Sequence, residues 1–114
     1  MRLKSAIFVS ALLRRASVEG AFGVVARRGA EEAGAIFVKV VAPDGTAALY
    51  GPAPQTAFDE AYPADRKFVE MVPPGRPEAE ADARIAREAK FDPDIFVVAI
   101  EDRDGRHFLD VVPL

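Results

Sequence analysis

Cysteine is absent from the 114 residues, which excludes disulfides, thiolate metal sites and a cysteine nucleophile, and leaves the redox compartment open. Serine occurs only as Ser5, Ser10 and Ser17, none of them in a Gly-x-Ser-x-Gly elbow. Glycines gather at Gly20, Gly23, Gly29 and Gly34, but no strand leads into Gly-x-Gly-x-x-Gly and no phosphate-loop Lys-Ser/Thr pair exists. Dinucleotide and nucleoside triphosphate binding are therefore not expected. No run approaches the ~20 apolar residues needed to cross a bilayer. Met1–Lys4 followed by Ala6–Leu13 has the outline of a signal peptide. Its apolar run is short, however, ends in Arg14-Arg15 and lacks a small-residue cleavage site, so export is not expected and the cytoplasm is the default. A net charge of −3 gives no global attraction to nucleic acid or to anionic membrane.

What is present is ordinary for a folded domain. Half of the residues are hydrophobic, and 114 residues suffice for one domain, 1–114, with its own core. The central stretch, 18–51, organises the rest. Ser17 is placed to cap a helix in which Val18, Ala21, Phe22 and Val25 form one apolar face and Gly29 marks the end. Ala35–Val41 is β-branched and nearly all apolar, as in a buried strand. Pro43-Asp44-Gly45 then makes a turn, and Ala47–Tyr50 returns. Upstream, Ile7–Leu13 alternates like a strand. Downstream, 52–65 has no period and is expected to be a surface loop, and Arg66–Val72 is a short strand.

A second helix is marked by Pro77 at its start, by Glu78, Glu80 and Asp82 near its positive end, and by Arg84, Arg87 and Lys90 towards the other. Asp92-Pro93 stops it. Ile95–Ile100 is a second apolar strand, Asp102–Gly105 a turn, and 107–112 a returning strand. The expected order is β-α-β-β-β-α-β-β: an α+β, two-layer domain of mainly antiparallel sheet with two helices.

Part of the pattern recurs. Phe37 and Phe96 both stand within Ile-Phe-Val, Gly45 is echoed by Gly105, and Phe8-Val9 by Phe68-Val69. This suggests two β-α-β-β pseudo-repeats, 6–51 and 66–112. In that case Phe37 and Phe96 are equivalent and lie buried on one helix-covered face, where truncation of either costs about 3–5 kcal/mol. Lys39, with the parity of Phe37, then sits at a rim with its ammonium in water.

The strings LKSAIFVSALLRR, EGAFGVVARRGAEEAGAIFVKV and FDPDIFVVAIED resemble an alphaproteobacterial domain-of-unknown-function family, number 1491, over essentially the whole chain. In that family tryptophan often stands where this chain has Phe8 and Phe96, a change that keeps an aromatic. The resemblance implies a compact bacterial protein and carries over no catalytic residues.

Few side chains invite chemistry. His107 lies near Glu101, Asp102 and Asp104, but these acids belong to a turn, and a metal site would want further nitrogen or sulfur ligands. Asp92 and Asp94 flank Pro93 as helix-ending and turn residues rather than as a catalytic pair. The clearest positive feature is Arg14, Arg15, Arg27 and Arg28, read as the ends of the first strand and first helix and so as an edge able to bind an anion or a partner. Ion pairing with Glu31, Glu32 and Glu60 is the simpler use of these charges. Nucleic-acid binding is not expected, because the aromatics sit in apolar strands. No cofactor or metal is expected. The reading that follows is a non-catalytic protein that binds a partner or itself, a homodimer being favoured by its strand edges. The alternative is a small-molecule-binding domain or small enzyme using a groove between the two halves.

Overall fold

Ser5, Val9, Leu12 and Ala16 recur at helical spacing and are all buried. The segment they belong to is a helix, α1 (Ser5–Val18). The structure is a computed structural model and describes residues 3–54 and 66–114. Of the loop expected over 52–65, residues 55–65 lie outside the described residues, as does Glu60. After α1 come the strands β1 (Phe22–Arg27), β2 (Ile36–Val41), β3 (Thr46–Pro52) and β4 (Phe68–Pro77), then helix α2 (Glu78–Phe91) and strand β5 (Phe96–Glu101).

The α+β class stands as expected, but among the described residues one helix packs on each face of the five-stranded sheet, which makes three layers rather than the expected two. Apolar side chains of β2 and β5 alternate to both faces, and each face needs its own cover. The first two elements exchange identity. Ile7–Leu13 is helix rather than strand, because its alternation coexists with the 5, 9, 12, 16 stripe that the sheet buries. The segment expected to be a helix from Ser17 is mostly β1. Ser17 closes the last turn of α1, where its carbonyl accepts from the Gly20 amide at 3.0 Å. Gly20, at φ +89°, then turns the chain out of the helix. Arg14-Arg15 and Arg27-Arg28 thus exchange settings as well, the first pair on helix and the second at a strand end.

The strands lie in the order β1-β5-β2-β3-β4, all neighbours antiparallel except β2 and β5, which are parallel. Each side of the sheet carries a helix and a core. On the α1 side Val9, Leu12 and Ala16 pack with Ile36, Val38, Tyr50, Phe68, Phe96 and Val98. On the α2 side Ala81 packs with Phe37, Leu49, Val72, Ile95 and Val97. Gly23 lets α1 approach β1, since a Cβ there would sit 2.7 Å from Leu13 Cδ2. Gly29 does not end a helix. Its Cβ would collide with the backbone at Asp94–Phe96, and only glycine lets the chain pass so close.

The parallel register decides the internal echo. Ile36 pairs with Phe96, and Phe37 with Val97. Phe37 and Phe96 are both buried, at 5% and 1% exposure, but on opposite sides of the sheet. The two halves also differ in order. Residues 6–51 hold a helix and three strands, whereas 66–112 hold a strand, a helix and a strand. Segment 107–112 forms no strand of its own. Both sides of β5 are already taken by β1 and β2, so the chain crosses to β4 and touches it at a single parallel bridge, Phe68 to Val111.

Lys39 keeps the parity of Phe37, but its ammonium meets carboxylates rather than water. It donates to Glu78 Oε2 and Asp82 Oδ1, each at 2.8 Å. Burial opposes its charge, yet these bonds outweigh that and hold the Lys39 ammonium above its ordinary pKa.

Candidate interaction edge

A five-stranded open sheet has two edges, and an edge strand carries a row of backbone N–H and C=O groups with no ladder partner. At one end of this sheet that strand is β4, and at the other β1. Edge β4 is closed. The Phe68 amide donates to the Asp110 carbonyl at 2.9 Å, and the Val112 amide donates to the Phe68 carbonyl at 2.8 Å. Lys67 pairs with Asp110 beside them. Further along, Pro73, Pro74 and Pro77 have no N–H to offer, and register shifts interrupt the pairing with β3.

Edge β1 has no proline and no covering segment among the described residues, and its one irregularity is a bulge near its end. Its sequence, FGVVAR, carries a single charge. Among the described residues nothing pairs with its outer side. Phe22, Val24 and Val25 are 61%, 42% and 37% exposed, although β-branched and aromatic residues usually fill strands that are covered. The side each residue takes follows from its partner on β5. Phe22 pairs with Glu101 and Val24 with Ala99, which places both on the α2 side with Val97. Gly23 and Val25 pair with Ile100 and Val98 on the α1 side. A bulge between Val25 and Arg27 then returns Arg27, opposite Val97, to the α2 side.

Comparison with known proteins adds the ancestry. Residues 3–110 match the family described as "Protein of unknown function (DUF1491)". The chain belongs to the DUF1491 family. Its structure is similar to the solution structure of protein Atu0922 from A. tumefaciens, with 46% identity, TM-score 0.86, and coverage of 100% of this chain and 98% of that one. A similar likeness links it to the crystal structure of a DUF1491 family protein from Caulobacter crescentus, with 44% identity, TM-score 0.81, and coverage of 98% and 99%. The comparison with curated proteins gives no match.

The four arginines singled out from the sequence do not form one edge in this DUF1491 protein. Arg14 and Arg15 lie late in α1, and Arg15 lines a hollow with Phe8, Arg66 and Phe108. β1 runs back along α1 from Gly23, beside Leu13, so Arg27 and Arg28 end up towards the helix start. There Arg27 donates to the Pro93 carbonyl at 2.9 Å, and Arg28 pairs with Glu31 at 3.5 Å. Glu32 pairs instead with Lys4 at 3.6 Å.

The other candidates have structural partners. Asp92 accepts from the Asp94 amide at 3.0 Å and ends α2. Asp102, its side chain 1% exposed, accepts from the Asp104 and Arg106 amides and from the Arg106 guanidinium. The guanidinium bonds hold its carboxyl far below the usual range against the opposing effect of burial. His107 lies against the Tyr50 ring at 4.8 Å between centroids, and its Nδ1 accepts from the Leu109 amide at 3.0 Å. Burial pushes the His107 pKa down, partly offset by the Glu70 charge. No group of three or more His, Asp or Glu able to hold a metal occurs among the described residues.

Sequence reasoning missed β1 because it assigned Phe22–Arg27 to a helix. The signal that could have found it was present in Val24-Val25, a β-branched pair a few residues after Gly20, itself suited to ending a helix.

Proposed function

We propose that this protein is a non-catalytic binding module that acts through strand addition at β1. The observation that carries the reading is the contrast between a closed edge at β4 and an open, apolar edge at β1 in one sheet. In strand addition, backbone hydrogen bonds supply affinity, and side chains alternating across the added strand supply selectivity. Here the selective surface on the α2 side is Phe22, Val24 and Arg27. A cytoplasmic location is part of the same proposal, and no described helix is long and apolar enough to cross a membrane.

The small-molecule alternative would use the hollow of about 430 Å³ between Phe37, Val69, Met71 and Leu114. Of its charged lining among the described residues, Glu70, Arg84 and Glu88, the only cation, Arg84, is already paired with Glu88 at 3.0 Å, which leaves no pair of opposite charges to converge on a ligand.

The test is selection of extended peptides from a random library on the full-length protein, followed by amide NMR mapping of the selected binders. Binders are expected to perturb Phe22–Arg27 and to be lost in Val24→Lys. Binders that map to the 430 Å³ hollow or to β4, or that survive Val24→Lys, would overturn the reading.

A further inference from the structure

We infer that the partner of β1 is a second copy of this chain, joined by antiparallel β1–β1 pairing about a two-fold axis at Val24; the inference rests on β1 being the docking edge.

The pleat confines the axis to a residue rather than a point between residues, and of the axes so allowed the one at Val24 brings Phe22 opposite the bulge. Residues directly opposite in an antiparallel pair must point to the same side of the sheet. An axis at Val24 sets Val24 against its own copy, on the α2 side, and Gly23 against Val25 of the second copy, both on the α1 side. An axis midway between Val24 and Val25 would oppose residues of different sides. With the axis at Val24, Phe22 comes opposite the bulge at Ala26-Arg27 of the second copy. The bulge has already returned Arg27 to the α2 side, where Phe22 lies.

Charge supports the same arrangement. Glu101 stands beside Phe22 on β5, is exposed and has no ion-pair partner among the described residues. Arg27, at the other end of β1, donates to a carbonyl and likewise has no carboxylate partner among the described residues. The two-fold axis carries Arg27 of each copy to the Phe22 end of the other. There a guanidinium can lie over the exposed ring and reach Glu101. The contact forms twice, once at each end. It would join the two five-stranded sheets into one ten-stranded sheet flanked by the two closed β4 edges.

Sedimentation equilibrium of the full chain tests this with three variants at exposed positions, each first checked for a folded circular dichroism spectrum. The wild type is expected to dimerise reversibly. Val24→Lys sets two ammonium groups against each other at the axis, and Arg27→Glu or Glu101→Arg sets like charges at both ends. Each alone should weaken the dimer by about tenfold or more. Arg27→Glu mixed with Glu101→Arg should recover association, because a mixed dimer has opposite charges at both ends. A wild type that stays monomeric, a dimer indifferent to Val24→Lys, or a mixture no tighter than its components would overturn self-pairing. Library peptides that still map to β1 on a monomeric wild type would overturn self-pairing and leave the docking reading standing. Peptides that map elsewhere would remove both.

Discussion

The two edges of this sheet solve the same problem in opposite ways. β4 meets the exposed-edge hazard with prolines, with register shifts and with the C-terminal segment laid along Phe68. β1 leaves Phe22, Val24 and Val25 exposed and its outer backbone unpaired among the described residues. The lesson is that edge protection here is selective. One edge is closed with ordinary means and the other is left open and apolar, and that open edge is the surface the proposed strand addition would use.

The comparison can be broken most severely at β4. Phe68 is 2% exposed, stacks 5.7 Å from Phe8 and carries both hydrogen bonds to the tail. Phe68→Ala should cost about 4 kcal/mol in a urea titration. A midpoint that barely moves would show that the edge is not held by this side chain.

Next is Asp102, whose carboxylate organises the turn that sends the tail across to β4. Asp102→Ala should cost about 2–3 kcal/mol, the order of a lost hydrogen bond to a charged group. Its folded pKa is depressed, so its contribution is complete above the unfolded value near 3.9 and fades as pH falls through and below it. Acid titration of stability should therefore be shallower in the variant than in the wild type. Equal slopes would refute the assignment.

His107 gives a smaller, pH-dependent effect. Its folded pKa is lowered by burial, so neutral His107 favours the folded state and stability falls as pH drops below about 6.5, where the unfolded chain binds the proton first. Protonation would also remove the acceptor used by the Leu109 amide. His107→Phe keeps a ring against Tyr50 and should abolish this slope between about pH 7 and 5.

The smallest effect is expected at the open edge. Phe22→Ala, measured at dilution where the monomer prevails, should change stability by no more than about 0.5 kcal/mol, as an exposed side chain does. A loss approaching that of Phe68→Ala would mean that β1 is packed within its own chain, and the contrast between the edges would disappear.

Much of the fold from β2 to β5 was legible from local chemistry. Pro43-Asp44-Gly45 announces the turn between β2 and β3. It forms with Gly45 at φ +85° and with Asp44 accepting from the Thr46 amide at 3.0 Å. The acidic start, the basic end and the Asp92-Pro93 stop delimit α2 to within a residue or two, because these signals act within one turn of backbone. The apolar runs at β2 and β5 identify themselves as strands buried on both faces.

What the sequence by itself determined, then, are the elements whose ends are written in residues of restricted conformation or in charge aligned with a helix dipole. Tertiary structure alone decided residues 3–28, the pairing register and the candidate edge. Ile7–Leu13 satisfies period 2 and period 3.6 together, and only the sheet beneath Val9, Leu12 and Ala16 chooses the helix. The echo aligned Phe37 with Phe96, yet parallel pairing sets Ile36 beside Phe96, a one-residue difference that sends the two rings to opposite faces. The open edge was invisible for the same reason. Whether a strand has a neighbour depends on where the whole chain lies in space, and no local preference encodes that.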